Sequence, residues 1–171
     1  MEPALHAAGD HWLTVGFGHT GDLATGRGGY LLVKRSFDVL IALLVITGIL
    51  TWLLPLLAAL IRIDSKGPVF FIQKRIGRNG KLFRCLKLRS MRTNDATGDS
   101  PGGMNDRRIT RMGQWLRRTH LDELPQFWNV VTGSMSIIGP RPYMLSDCRR
   151  FAEMVPEADV QLRQAVRPGI T

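Results

Sequence analysis

Two adjacent carboxylates, Asp122 and Glu123, lie between an arginine-rich segment and a largely apolar one in the run Thr119-His120-Leu121-Asp122-Glu123-Leu124-Pro125-Gln126. An ionised aspartate among cations can act as a nucleophile, and a pair of acids can hold a divalent metal. Leu121, Leu124, Trp128 and Val131 recur at spacings of three and four, which predicts one apolar helical face. Pro125 is tolerated only in a first helical turn, where its missing N–H would be unpaired anyway. Both acids are therefore expected at a helix N-terminus, whose dipole favours the charged carboxylate. Two such acids can also do no more than cap the helix, so their surroundings matter.

Cations that could serve these acids occur in three other places. Lys87 and Arg89 share parity on an expected strand and so point to one face, either into a site or, as solvated charges, out of an edge. Thr110 can cap a helix over Arg111–Arg118, with Ile109, Met112 and Leu116 inward and Arg111, Arg117 and Arg118 elsewhere. Arg141 stands between Pro140 and Pro142, which fix the backbone around it. A held arginine suits bidentate recognition of phosphate, although the same tripeptide also makes ordinary loops.

The elements that must position these residues follow from the rest of the chain. Its 171 residues suffice for one domain with a core. The net charge of +9 points to an anionic partner: nucleic acid, a membrane surface or a phosphorylated substrate. From Arg62 to Arg92, ten Lys/Arg face the single acid Asp64, so this stretch alone carries that net charge. Cys85 and Cys148 match no metal or redox spacing and read as free thiols. His6, His11 and His19 fall in a leader, residues 1–33, that has no sustained periodicity and no secretory-signal pattern, and they read as solvated.

Val39 to Ile61 is a run of 23 residues without a formal charge. At about 1.5 Å per residue it reaches roughly 35 Å as a helix, enough for a hydrocarbon core of about 30 Å. Pro55 interrupts the run and is expected to break the helix there. Lys34 and Arg35 precede the run and Arg62 and Lys66 follow it, so the basic asymmetry of a simple span is weak. These residues favour a kinked, re-entrant segment over residues 34–63, with both ends on one face of the membrane. A β-hairpin is expected next: Val69–Ile76 and Leu82–Met91 flank Gly77-Arg78-Asn79-Gly80, and Asn-Gly between β-formers is a strong turn signal. Residues 94–105 read as a loop, Ser134–Ile138 as a short apolar strand or turn, and Arg149–Arg163 as an amphipathic helix interrupted by Pro156. The fold class is α+β: a membrane-embedded helix, then a small catalytic domain over residues 64–171 with a hairpin and short amphipathic helices.

A basic shelf beside an apolar segment explains adhesion to anionic lipid, at about 1 kcal/mol per basic residue. It does not explain a carboxylate pair, which would repel lipid phosphates unless a metal or substrate is handled there. Nucleic acid is not expected as a partner, because stacking aromatics in the basic stretch are limited to Phe70, Phe71 and Phe83. Phosphate chemistry on an amphiphile at the membrane surface accounts for both features.

The ordered motifs Lys34-Arg35-Ser36-Phe37-Asp38, Gly67-Pro68-Val69-Phe70-Phe71, Gln73-Lys74-Arg75-Ile76-Gly77, Phe83 to Met91, Leu121 to Gln126, Gly139-Pro140-Arg141-Pro142 and Arg167-Pro168-Gly169-Ile170-Thr171 resemble the bacterial sugar transferases of the monotopic phosphoglycosyl transferase family. The resemblance covers nearly all of residues 34–171. It implies transfer of a sugar phosphate from a UDP-sugar to a polyprenyl phosphate, usually undecaprenyl phosphate, at the cytoplasmic face of the bacterial inner membrane. The product would begin an exopolysaccharide, capsule, O-antigen or glycoprotein glycan. By the same resemblance Asp122 would form a phosphosugar-aspartyl intermediate, and Glu123, with Asp122, would bind Mg2+. Lys87, Arg117 and Arg141 would contact phosphate or order the site, and the re-entrant helix would break at Pro55. Inner-membrane lipid is an implied partner, and a homo-oligomer is left open.

Three departures accompany the resemblance. Leu54 precedes Pro55 where a serine is usual, His120 replaces a common serine and is read as a neutral neighbour, and the family's usual segment beyond Thr171 is missing. The last departure sets up an alternative: a C-terminally short, inactive or weakly active homologue serving as a membrane-bound interaction module.

Overall fold

The structure is a computed structural model, and it describes residues 28–92, 106–144 and 163–170. Most of the leader, the 94–105 loop, Cys148 and nearly all of the expected Arg149–Arg163 helix lie outside the described residues. Within them the fold is α+β, as expected: one long apolar helix, a three-stranded antiparallel sheet and short helices.

The long helix runs from Gly28 to Asp64, and by length and composition it could cross a membrane. It begins ahead of the Lys34 boundary drawn from sequence. Its parts are α1 (Gly28–Val45), a π-helical turn (Ile46–Leu50) and α2 (Thr51–Asp64), which contains Pro55. The irregularity thus occupies the turn preceding the proline. A widened turn leaves carbonyls without their usual donors, and such bulges are a common cause of helix bending. Side chains add bonds to carbonyls of this turn: Thr51 Oγ1 donates to Thr47 O at 2.8 Å and Trp52 Nε1 to Gly48 O at 2.9 Å.

One stripe of this helix is buried, marked by Asp38, Ala42, Leu50, Leu57 and Ile61, while Leu40, Leu43, Leu44, Ile49, Trp52, Leu56 and Leu60 are exposed. The stripe meets two small cores. Ala42 packs with Cys85, Val130 and Met135, and Leu57 and Ile61 pack with Leu88 and Leu116. Both ends of the helix are also hydrogen-bonded to the domain. At the start, Asp38 accepts from Lys34 Nζ at 3.0 Å, Ser136 Oγ at 2.7 Å and Ile137 N at 3.2 Å. At the finish, the buried Arg89 guanidinium donates to the carbonyls of Ser65 and Lys66 and to Ser65 Oγ. These carbonyls lie at the C-cap, Ser65, and one residue past it, so Arg89 closes the turn that follows the helix.

Strands β1 (Phe70–Ile76) and β2 (Leu82–Leu88) form the expected hairpin, with Phe71 opposite Lys87 and Gln73 opposite Cys85. Asn79 takes the left-handed conformation (φ 57°), as does Gly80 (φ 71°), which lets the loop turn back. A short third strand, β3 (Tyr143–Met144), pairs with the end of β1. Helix α3 (Arg111–Arg118) is capped by Thr110, whose hydroxyl accepts from Gly113 N at 2.9 Å. Asp64, at the end of α2, accepts from Met112 N. Residues 134–140 form a turn rather than a strand, closed by the C-terminal motif: Ser136 N donates to Pro168 O, and Ile170 N to Ser136 O. Gly139 and Gly169 touch backbone to backbone, so a Cβ on either would lie within 3 Å of main-chain atoms.

Candidate active site

The sequence places Asp122 and Glu123 in the first turn of a helix; the structure corrects this. They occupy a 3-10 turn (Leu121–Glu123), and helix α4 (Gln126–Val131) starts only after Pro125. Pro125 has no N–H to close an α-turn onto Leu121, so the preceding residues bond three apart: Glu123 N to His120 O and Leu124 N to Leu121 O. The tighter turn shifts the helical phase. Trp128, expected inward, is exposed, and the buried face of α4 carries Gln126, Asn129 and Val130 instead. His120 enters this turn in the left-handed conformation (φ 56°).

Asn129 fastens α4 to β2 through the strand backbone. Its side chain accepts from Leu86 N at 3.0 Å and donates to Arg84 O at 2.8 Å. That contact sets the carboxylates beside Lys87. Lys87 Nζ lies 2.6 Å from Glu123 Oε1, with both side chains largely buried. Arg141 reaches the same oxygen at 3.0 Å, with its side chain 64 % exposed. The prolines fix its backbone, but it is Glu123 that holds its tip. Arg117 donates to Ser90 Oγ at 2.9 Å, and its charge acts on Asp122. Lys87, Arg117 and Arg141, three cations from distant parts of the sequence, therefore surround the pair. Arg89, same in parity as Lys87, does not join them and is taken up by the end of α2.

The two neighbouring acids are pushed in opposite directions. Burial drives the Asp122 carboxyl above its ordinary value and the Glu123 charge adds to this, against Lys87 and Arg117. Burial acts on Glu123 too, but the hydrogen bond and charge of Lys87, with Arg141, prevail and hold it below its ordinary value. Such divergence is a mark of two carboxylates with different tasks. Glu123 is the paired member, its charged form favoured by Lys87 and Arg141. Asp122, with no cation in ion-pair contact among the described residues, is the member available to react.

Sequence reasoning missed two residues of the site. Arg75 is buried and lines the same narrow cavity as Lys87, Glu123 and Arg141, held by Gln73 Oε1 and Pro142 O. Strand parity could have found it, since residues 71, 73 and 75 share the face of 83, 85 and 87. Gln126 lines the cavity as well, a position that the shifted phase of α4 concealed. Cys85, a free and buried thiol as expected, lies at the cavity wall.

No group of three or more His, Cys, Asp or Glu fit to hold a metal occurs among the described residues. Asp122 and Glu123, whose Oε1 is already taken by Lys87 and Arg141, are the carboxylates that would hold Mg2+, an ion that usually takes one or two carboxylates and completes its shell with water and substrate phosphate.

Residues 29–171 match the family described as bacterial sugar transferase. The chain belongs to that family. Its relatives include an exopolysaccharide production protein of Rhizobium leguminosarum bv. phaseoli, 46% identical over 149 residues (82% of this chain, 72% of the relative). The UDP-glucose:undecaprenyl-phosphate glucose-1-phosphate transferase of Escherichia coli K12 is 41% identical over 142 residues, with 82% of this chain covered. A putative undecaprenyl-phosphate N-acetylgalactosaminyl 1-phosphate transferase of Bacillus subtilis is 38% identical over 142 residues (81% and 77%). The sugar transferase chain spans only 30% of the longer Escherichia coli relative.

Proposed function

We propose that the chain transfers a sugar phosphate from a UDP-sugar to undecaprenyl phosphate at the membrane, the first step of an exopolysaccharide, capsule or O-antigen glycan. The names of its relatives support the substrates. The observation that carries the reading is the buried Asp122 beside Glu123, ringed by Lys87, Arg117 and Arg141.

In the proposed chemistry Asp122 attacks the β-phosphorus of the UDP-sugar. An aspartyl O–P bond forms, the diphosphate bridge breaks and UMP leaves. A phosphate oxygen of the lipid then attacks the same phosphorus, the aspartyl bond breaks and Asp122 is regenerated. Lys87 and Arg141 hold Glu123 ionised and present positive charge to the phosphoryl oxygens, where charge accumulates in the transition state. Asp122 and Glu123 would hold Mg2+, which when bound neutralises diphosphate charge.

The placement proposed for the apolar helix is re-entrant, at the cytoplasmic face of the inner membrane. Both of its ends are hydrogen-bonded to the same domain, and its exposed face is apolar. Cysteine labelling of both helix ends from one side only is the expected result, and labelling from opposite sides would end that topology.

The experiment that tests the activity is UMP release by detergent-solubilised protein with Mg2+, undecaprenyl phosphate and a panel of UDP-sugars, run beside Asp122→Ala. Release that disappears in the variant is expected. Silence across the panel from folded protein would replace this reading with that of a membrane-bound interaction module.

A further inference from the structure

We infer that Gln126 is a substrate-binding residue whose side-chain amide donates to a phosphoryl oxygen of the diphosphate; this rests on the transfer reading above. Gln126 is 2 % exposed, and its Nε2 is buried with no hydrogen-bond partner among the described residues. A buried donor left unmade is costly, so a native fold retains one where something else pays the cost. Asn129, three residues on along the same face of α4, shows how such an amide is normally settled: both ends of it are taken by the β2 backbone. Gln126 sits one turn nearer the carboxylates, where the strand offers no acceptor, and it lines the cavity with Arg75, Lys87, Glu123 and Arg141.

The chemistry of that cavity selects the missing acceptor. Three cationic side chains and one carboxylate leave an excess of positive charge, and the carboxylate is already held by Lys87 and Arg141. The cavity, about 10 Å³ in volume, admits a single oxygen of an anion bound at its mouth, and that oxygen accepts and does not donate. An uncharged amide beside the cations adds a directed hydrogen bond without further electrostatic pull, which fixes the orientation of the diphosphate relative to Asp122.

The test uses the full chain in detergent, titrated with UDP and with inorganic diphosphate in the presence of Mg2+, and compares wild type with Gln126→Met and Gln126→Glu. Met keeps the volume and removes the donor. The expected result is binding about tenfold or more weaker for both ligands, with a free protein at least as heat-stable as wild type. Gln126→Glu, which places a negative charge where the amide was, should bind more weakly still and keeps the test open should the Met variant fail to fold. Unchanged affinity in a folded variant overturns the inference, as does a less stable free protein that binds normally, the signature of a purely structural amide. Wild-type protein that binds neither ligand removes the transfer reading and this inference together, whereas binding by wild type and variants alike removes this inference alone.

Discussion

Lys87→Met should separate the electrostatic tuning of the site from its assembly. Lys87 makes the shorter of the two ion pairs on Glu123 and is the leading charge that opposes burial at Asp122. Removing one partner of a buried pair costs about 3–5 kcal/mol where nothing replaces it. Here Arg141 remains on Glu123 at 3.0 Å but is largely solvated, so a stability loss of about 1–3 kcal/mol is expected. The transition state also loses a fixed positive charge, worth about a hundredfold to a thousandfold in kcat by analogy with other preorganised donors. The diagnostic effect lies in pH. On the proposed mechanism Asp122 must be ionised to attack, and burial already holds its pKa high. Without Lys87 that pKa rises further, so the acid limb of UMP release moves to higher pH. Lys87→Arg, which keeps the charge, should leave the limb near its wild-type position. A fall in kcat with an unmoved acid limb in Lys87→Met would refute the claim that Lys87 sets the ionisation of Asp122.

Asp122→Asn should abolish UMP release and yet raise the melting temperature at neutral pH. The folded pKa of Asp122 is raised, so the wild type loses stability as pH rises through it, and the gain in the Asn variant should vanish in acid. Glu123→Gln should behave oppositely, because its folded pKa is depressed: the variant is less stable at neutral pH, and the difference closes as pH falls through the folded pKa. Gly113→Ala should cost about 3 kcal/mol or more, since its Cβ would stand 1.9 Å from the Ser90 carbonyl oxygen; thermal unfolding in detergent reads this directly. Asp38→Ala removes the common acceptor of three hydrogen bonds and leaves Ile137 N without one, since Lys34 Nζ keeps Ser136 Oγ and Ser136 Oγ keeps Ile138 O; it should cost about 3 kcal/mol, with a fall in turnover although residue 38 lies outside the carboxylate cluster.

Local signals in the sequence were sufficient where the determining contacts are local. Thr110 caps α3 and Asn79-Gly80 turns the hairpin because each acts on backbone within a few residues. The link of Lys87, Arg117 and Arg141 to the carboxylate pair came from the family resemblance, and spacing alone did not show which of them would touch it. Periodicity failed across Pro125. It treated Leu121 to Val131 as one α-helix, whereas the 3-10 turn changes the angle per residue and carries Trp128 to the surface and Gln126 inside. Arg89 was indistinguishable from Lys87 by parity, because its partners are main-chain carbonyls more than twenty residues earlier. The helix continues through Pro55, and its irregularity is instead a widened turn upstream at Ile46–Leu50.

The basic stretch that reads from sequence as a shelf for anionic lipid has a second use. Arg89 closes the end of α2, and Arg75 ties Gln73 to the Pro142 carbonyl, so both charges are internal. At the other end of the long helix, Arg35 donates to Val131 O at the end of α4. Arg89 and Arg35 fasten the ends of the apolar helix to the domain, and Arg75 ties β1 to the segment that carries Arg141. Arg89 is two residues from Lys87, Ser90 holds Arg117, and the Ser136 turn bound to Asp38 leads directly to Arg141. Any displacement of either helix end must therefore move a cation that faces Asp122 or Glu123. On the proposed membrane placement, attachment and the arrangement of the carboxylates are one mechanical unit, and a change that loosens the helix should appear in turnover before it appears in lipid binding.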